Sequence, residues 1–187
     1  MSVGTAIRRA AELLAASSDT ARLDAELLMA QALGATRSDM LLRHMREPEP
    51  AGFATLVERR ARHEPVAHIL GRQEFYGLDL RVTRDTLIPR GDSETLVEAA
   101  GEWFADREPP AQILDLGTGT GALLLAALSL WPEAKGLGID ASVAALAVAQ
   151  ENAVALGMGE RAVMRLADWR QTGWAEGLDR FDLVLCN

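Results

Sequence analysis

The chain of 187 residues has a single cysteine, Cys186. No disulfide can form within it, which fits a reducing cytosol and makes the cytoplasm the expected location. Cys186 lies in the apolar run of residues 181–186 and is expected to be a buried core thiol. No apolar run reaches membrane-span length, so neither a transmembrane helix nor a membrane partner is expected. His44, His63 and His68 have no Cys/His ligand spacing, which argues against a metal centre. No Gly-x-Ser-x-Gly elbow is present, which disfavours a serine hydrolase. Positive charge is scarce in the second part of the chain. Residues 1–72 carry a net +1 and residues 73–187 a net −9, within a total of −8. That balance argues against non-specific nucleic-acid binding, and no direct nucleic-acid partner is expected. Arg8 and Arg9 give the start the look of a targeting segment. Glu12 interrupts its apolar stretch and the period is helical, so a folded helix is expected instead.

The first seventy residues read as short helices. Asp19 is placed to cap a helix that Gly34 stops, with Leu23, Leu27 and Ala30 on one face. A weaker helix spans residues 38–45. Pro48 and Pro50 break the chain, and residues 51–63 form a further helix with Phe53, Leu56 and Val57 inward. Near Gly71 the pattern changes. Alternation over residues 77–82, a turn at Thr83-Arg84-Asp85 and the run Leu87-Ile88 predict a hairpin linker. Helix returns over residues 92–104. From Gln112 the rhythm is strand, helix, strand, helix, strand: strands at 112–116, 137–140, 161–167 and 181–186, a buried helix at 122–130, and a helix capped by Ser142 and stopped by Gly157. This is an α/β chain with a parallel sheet, whose ligands sit at the carboxyl ends of the strands. The expected domains are residues 1–72 (helical), 73–90 (hairpin linker) and 91–187 (parallel α/β).

Asp115-Leu116-Gly117-Thr118-Gly119-Thr120-Gly121 lies between a strand and a helix. Alternate glycines let the backbone turn sharply and approach a ligand. The following helix offers unpaired N–H groups and a partial positive charge, suited to a phosphate or to the carboxylate of a methionine moiety. Gly117, Gly119 and Ala122 also satisfy the dinucleotide pattern. Asp140, closing the next strand, can accept from ribose hydroxyls in either NAD or S-adenosylmethionine. The loop alone leaves both ligands open. Asp168 and Trp169 follow the third strand, where an indole can stack on adenine and a carboxylate can accept from its amine. Asn187 ends the fourth strand, with an amide able to accept a hydrogen bond from an NH₂ group.

Taken together, the loop of residues 115–121, Asp140, Asp168-Trp169 and Phe181-Asp182-Leu183-Val184-Leu185-Cys186-Asn187 resemble the HemK/PrmC family of protein-glutamine methyltransferases. So do Pro65-Val66-Ala67-His68-Ile69-Leu70-Gly71, Phe75-Tyr76-Gly77, Leu87-Ile88-Pro89-Arg90 and the helical stretch from Ala21 to Leu28. The resemblance implies a Rossmann-like class I methyltransferase sheet, preceded by a small helical domain and a β-hairpin linker. It implies S-adenosylmethionine as cofactor, held by Gly117, Thr118, Gly119, Thr120, Gly121, Asp140, Asp168, Trp169 and Asn187. It implies Asn187 as the catalytic and substrate-binding residue. The implied substrate is the glutamine of the Gly-Gly-Gln motif in peptide-chain release factors, recognised through the N-terminal helices. Gly91 departs from the family, which has proline there. The family's Asn-Pro-Pro-Tyr motif begins at Asn187, so the chain is expected to be a piece of a longer protein with an incomplete sheet, its strand 181–186 an unprotected edge. The rival readings are a glutamine methyltransferase acting on a ribosomal protein, an adenine-specific nucleic-acid methyltransferase, a nicotinamide dehydrogenase and a non-catalytic cofactor-binding module.

Overall fold

The computed structural model describes all 187 residues. They divide into two compact units, Met1–Leu70 and Gly71–Asn187. No helix is long and apolar enough to cross a membrane.

The first unit is helical: α1 (Val3–Leu14), α2 (Ala21–Leu33), α3 (Arg37–Asp39) running into a π-helical turn at Met40–His44, α4 (Phe53–Ala61) and α5 (Val66–Leu70). Ser2 caps α1 by accepting from the Thr5 N–H, and Gly34 ends α2 in the left-handed conformation. Val3, Ile7, Leu14, Leu28, Met29, Met40 and Phe53 form the core. The inward face of α2 differs from the periodicity reading. Leu23 is exposed and Leu27 half-buried, while Asp24, Ala25, Glu26, Leu28 and Met29 are buried. The reason is charge pairing. Arg60 donates to Asp24 at 2.7 Å, joined by the Ser18 and Thr20 hydroxyls, and Arg22 and Arg37 donate to Glu26. Burial alone would raise both carboxyls; hydrogen bonds from these partners outweigh it and hold both below the usual range. Buried charges are tolerated when paired and hydrogen-bonded in this way.

The second unit opens with an antiparallel hairpin of β1 (Arg72–Phe75) and β2 (Leu78–Arg81). The sequence reading paired residues 77–82 with Leu87-Ile88; the structure pairs them with residues 72–75. The turn chemistry explains the difference. Phe75 faces Leu78 across a two-residue turn, and Tyr76 and Gly77 both have positive φ, 52° and 75°. That is the backbone of a type I′ turn, whose twist matches paired strands. The Tyr76 N–H donates to Glu94 at 2.9 Å and the Gly77 N–H to Glu74 at 2.6 Å. Leu87 and Ile88 lie in an irregular segment leading to a 3₁₀ turn (Gly91–Ser93) and α6 (Glu94–Phe104).

There follow β3 (Gln112–Leu116), α7 (Ala122–Leu130), β4 (Lys135–Asp140), α8 (Val143–Ala155), β5 (Ala162–Leu166) and β6 (Leu183–Cys186). The four strands are parallel in the order β5-β4-β3-β6. From β3 the chain winds outward to β5, then returns to the other side of β3. The topological switch point is therefore at the carboxyl end of β3, where open α/β sheets bind ligands. Residues 122–128 of α7 are all buried. Gly136 makes room for that helix, since a Cβ there would stand 2.5 Å from Leu124 Cδ1. Arg161 closes the far end of α7 by donating to the carbonyls of Leu128, Trp131 and Ala134. Cys186, expected to be buried, is exposed. β6 pairs only with β3, and alternate residues of a strand face opposite ways. Leu185 packs in the core, while Val184 and Cys186 point outward.

Asn152 ties three parts of this unit together. Only 3% exposed, it accepts from the Arg81 N–H and donates to the carbonyls of Arg81 and Thr120. α8 thereby holds the hairpin and the loop after β3 in one arrangement. Asn152→Ala strands buried backbone groups and is expected to cost roughly 2–4 kcal/mol, read from urea unfolding. A loss under about 0.5 kcal/mol, the range of a surface change, would contradict this role.

Candidate functional site

The site begins with a steric demand. The chain leaves β3 at Leu116 and enters α7 at Ala122. Between them Gly117, Gly119 and Gly121 have φ of 76°, 54° and 83°, a region that side-chain-bearing residues rarely adopt. Nothing crowds Gly119; a Cβ there would have its nearest neighbour, Gly117 O, 3.9 Å away. The backbone face at Gly119 is open to close approach. Gly121, by contrast, is the N-cap of α7 and sits against Leu125 and Ala149.

Two carboxylates hold this loop. Asp140, at the end of β4, accepts the Gly119 N–H at 3.0 Å and the Ser142 N–H at 2.9 Å, one on each oxygen. Asp115, 1% exposed, accepts the Thr118 hydroxyl at 2.7 Å. Thr118 reaches it because Gly138 has no side chain: a Cβ there would stand 2.9 Å from Thr118 Oγ1 and from Met164 Sδ. Burial pushes the Asp115 carboxyl up to about 6, against the hydrogen bonds from Thr118 and Leu124 and with Asp140's charge adding to the rise. The Thr118 and Gly117 N–H groups both donate to the Ile139 carbonyl.

Gly117, Thr118, Gly119 and Thr120 line a cleft with Asp115, Leu123, Phe75, the segment 87–90, Ser93 and Asn187. Asn187 donates from Nδ2 to Ser93 Oγ in this cleft. Asp140 and Trp169 touch the loop outside the residues that line this cleft. The indole of Trp169, about half exposed, comes within 3.3 Å of where a Gly117 Cβ would be. Asp168 is turned elsewhere. Arg170 donates to both of its oxygens from Nε and Nη2, and its backbone N–H adds a third donor group. The Arg170 guanidinium beside Asp168 holds its carboxyl near 2.

The predicted residues thus fall into groups. Gly117 to Thr120 and Asn187 meet in the cleft, Asp140 and Trp169 touch the loop beside it, Gly121 starts the helix, and Asp168 is occupied by Arg170. Sequence reasoning did not pick out Ser93 or Asn152, and it quoted Asp115 only as part of the loop. Ser93 left a faint signal, a cap-type residue before an acidic helix start. Asn152, mid-helix, left none.

This arrangement fits S-adenosylmethionine by the chemistry of its donors. An open glycine backbone before a helix N-terminus suits a carboxylate. A strand-end aspartate suits ribose hydroxyls, and an exposed indole face suits adenine.

Two measurements follow. The Asp115 carboxyl titrates near 6 in the folded chain and at the ordinary 3.8 unfolded. The folded state therefore binds more protons between these values. Asp115 contributes least to stability above pH 6 and recovers roughly 3 kcal/mol as pH falls through the window. Relative to wild type, Asp115→Asn is expected to gain stability steadily from pH 4.5 to 7 in urea titrations; a difference flat with pH would contradict the assignment. Gly117→Ala forces a Cβ against Trp169 at a left-handed φ and is expected to cost about 1–3 kcal/mol, with Trp169 fluorescence altered. An unchanged spectrum and stability would show the loop to be unconstrained there.

Comparison with known proteins agrees with both units. A family model described as PrmC N-terminal domain matches residues 5–71, and one described as Methyltransferase domain matches residues 108–187. The chain is 44% identical over 172 residues to a release factor glutamine methyltransferase of Caulobacter vibrioides, covering 90% of this chain and 58% of that protein. It is 43% identical to one of Cereibacter sphaeroides, covering 100% of this chain and 66% of the relative. The chain thus spans about three-fifths of the length of these curated relatives. Among solved structures, the delta-N METTL16 MTase domain matches at a TM-score of 0.51 and 16% identity, over 60% of this chain and 52% of that one. Human methyltransferase 10 domain containing protein matches at 0.50 and 15%, over 60% and 54%. These two likenesses concern the fold, a class I methyltransferase sheet. With the N-terminal domain, the methyltransferase domain and long matches to curated relatives in agreement, the chain belongs to the HemK/PrmC family.

Proposed function

We propose that this chain binds S-adenosylmethionine and serves the transfer of its methyl group to the side-chain amide nitrogen of a glutamine, that of the Gly-Gly-Gln motif in peptide-chain release factors. The observation that carries the reading is the cleft in which Asn187 stands beside the open glycine loop at the switch point of the sheet. The curated relatives are named release factor glutamine methyltransferases, which supports a release-factor glutamine as the substrate.

Gly117, Thr118, Gly119 and Thr120, with the N-terminus of α7 behind Gly121, hold the methionine end of the cofactor. Asp140 accepts from its ribose hydroxyls and Trp169 covers its adenine; Asp168, next to Trp169 in the chain, has both oxygens taken by Arg170. When bound, the cofactor supplies an electrophilic methyl on a sulfonium sulfur. An amide nitrogen is a poor nucleophile because its lone pair is delocalised into the carbonyl. What the protein contributes is orientation, which supplies roughly 7–11 kcal/mol in well-aligned cases. Asn187 accepts an amide hydrogen and aims the nitrogen. The carboxylate lining the cleft, Asp115, is buried and already accepts from the Thr118 hydroxyl, so the proton leaves late, to water, and catalysis rests on positioning and electrostatics. The helical unit recognises the protein substrate, in the cytoplasm.

Titration calorimetry tests the cofactor. S-adenosylmethionine is expected to bind and NADH not; the reverse would favour a nicotinamide enzyme. Trp169→Ala should weaken S-adenosylmethionine roughly tenfold through lost stacking. Transfer of labelled methyl to a release factor tests the substrate. Asn187→Ala should lower turnover at least tenfold, far more than it lowers cofactor affinity. Cofactor binding by the wild-type chain without any transfer would favour a non-catalytic module.

A further inference from the structure

Ser93 occupies the N-cap position of α6, where a serine side chain ordinarily accepts from the first N–H groups of the helix. Here it makes no such bond. Its Oγ, in a residue only 8% exposed, accepts instead from Asn187 Nδ2, 94 residues further along the chain. The Ser93 hydroxyl proton is directed to Asp92 Oδ1 at 3.5 Å. Asp92 is in turn paired with Arg90 Nε at 3.2 Å. The polarity of this chain is set at its carboxylate end. An ionised carboxylate only accepts, so it draws the hydroxyl proton and leaves an Oγ lone pair for Asn187.

An asparagine amide has a donor end and an acceptor end of nearly equal shape, and only hydrogen bonding decides which way it faces. With Nδ2 committed to Ser93, the acceptor Oδ1 is the end left for the cleft that both residues line. A flipped amide would present N–H groups to the N–H groups of a substrate amide.

We propose that Ser93 is a positioning residue that sets the Asn187 side chain so that Oδ1 faces the amide nitrogen of the substrate. This rests on the reading of the cleft as a glutamine-amide site. Ser93 itself does not touch the substrate. Arg90 and Asp92 orient the Ser93 hydroxyl from the solvent side.

The relay is tested without turnover. In the ¹⁵N-labelled chain the side-chain NH₂ of Asn187 is identified by its loss in Asn187→Asp. Its exchange with water is expected to rise roughly tenfold in Ser93→Ala and to return to the wild-type rate in Ser93→Thr, which keeps the hydroxyl. Wild-type exchange as fast as that of a solvent-exposed asparagine amide, or no change in Ser93→Ala, would overturn the proposal. Turnover supplies the second arm. Ser93→Ala should lower kcat roughly tenfold, with S-adenosylmethionine affinity within about twofold, and Ser93→Thr should restore it. An equal fall in cofactor affinity would mean a general disturbance of the cleft and would also overturn it. Absence of transfer by the wild-type chain counts against the methyltransferase reading, and the exchange measurement still decides the relay.

Discussion

Between β3 and α7 the backbone reverses within residues 117–121, and three left-handed glycines make the reversal possible. Glycine freedom alone would leave that loop floppy, since the residue that reaches unusual conformations also loses the most entropy on being fixed. Carboxylates on neighbouring strands supply the restraint. Asp140 takes the Gly119 N–H and Asp115 takes the Thr118 hydroxyl. Gly138, bare between them, lets Thr118 lie flat against the sheet. The cleft, the helix N-terminus and the placing of Trp169 all follow from this clamp.

The clamp has an electrostatic cost. Asp115 is an acid without a basic partner in a dry setting, and its carboxyl is displaced upward for that reason. Asp24 and Glu26 in the helical unit show the opposite solution. Each is as buried as many core residues, yet each recruits arginines and is displaced downward. Where structure alone is at stake, charge is neutralised locally. Beside the candidate site it is left unpaired, a pattern common where a charge serves a ligand.

Element type was legible wherever the signal was local. The helix at Ala122–Leu130 and the strand at Gln112–Leu116 have the bounds that apolar patterning and Pro132 indicated, and Ser142 caps α8 as its residue type implied. The readings that failed were those in which a distant partner overrode the pattern. Periodicity turned Leu23 inward on α2; ion pairs from α4 and α3 turned Asp24 and Glu26 inward instead. The hairpin was paired with Leu87-Ile88 because Tyr76 is not a residue expected at positive φ, and Glu94, far along the chain, helps hold it there. Cys186 was read as buried from an apolar run, but burial on an edge strand depends on which face meets the helices.

By itself the amino-acid sequence determined the strand–helix alternation from Gln112 onward, the glycine loop with its need for positive φ, and the family. These rest on interactions spanning a few residues, or on motifs quoted whole. The tertiary structure alone decided that β6 pairs beside β3, that Asn152 reaches the hairpin at Arg81 across 71 residues and the loop at Thr120 across 32, and that Ser93 meets Asn187 across 94. Such contacts have no local signature. They arise because a parallel sheet places the carboxyl ends of distant strands side by side, and a buried polar group must find its partner there.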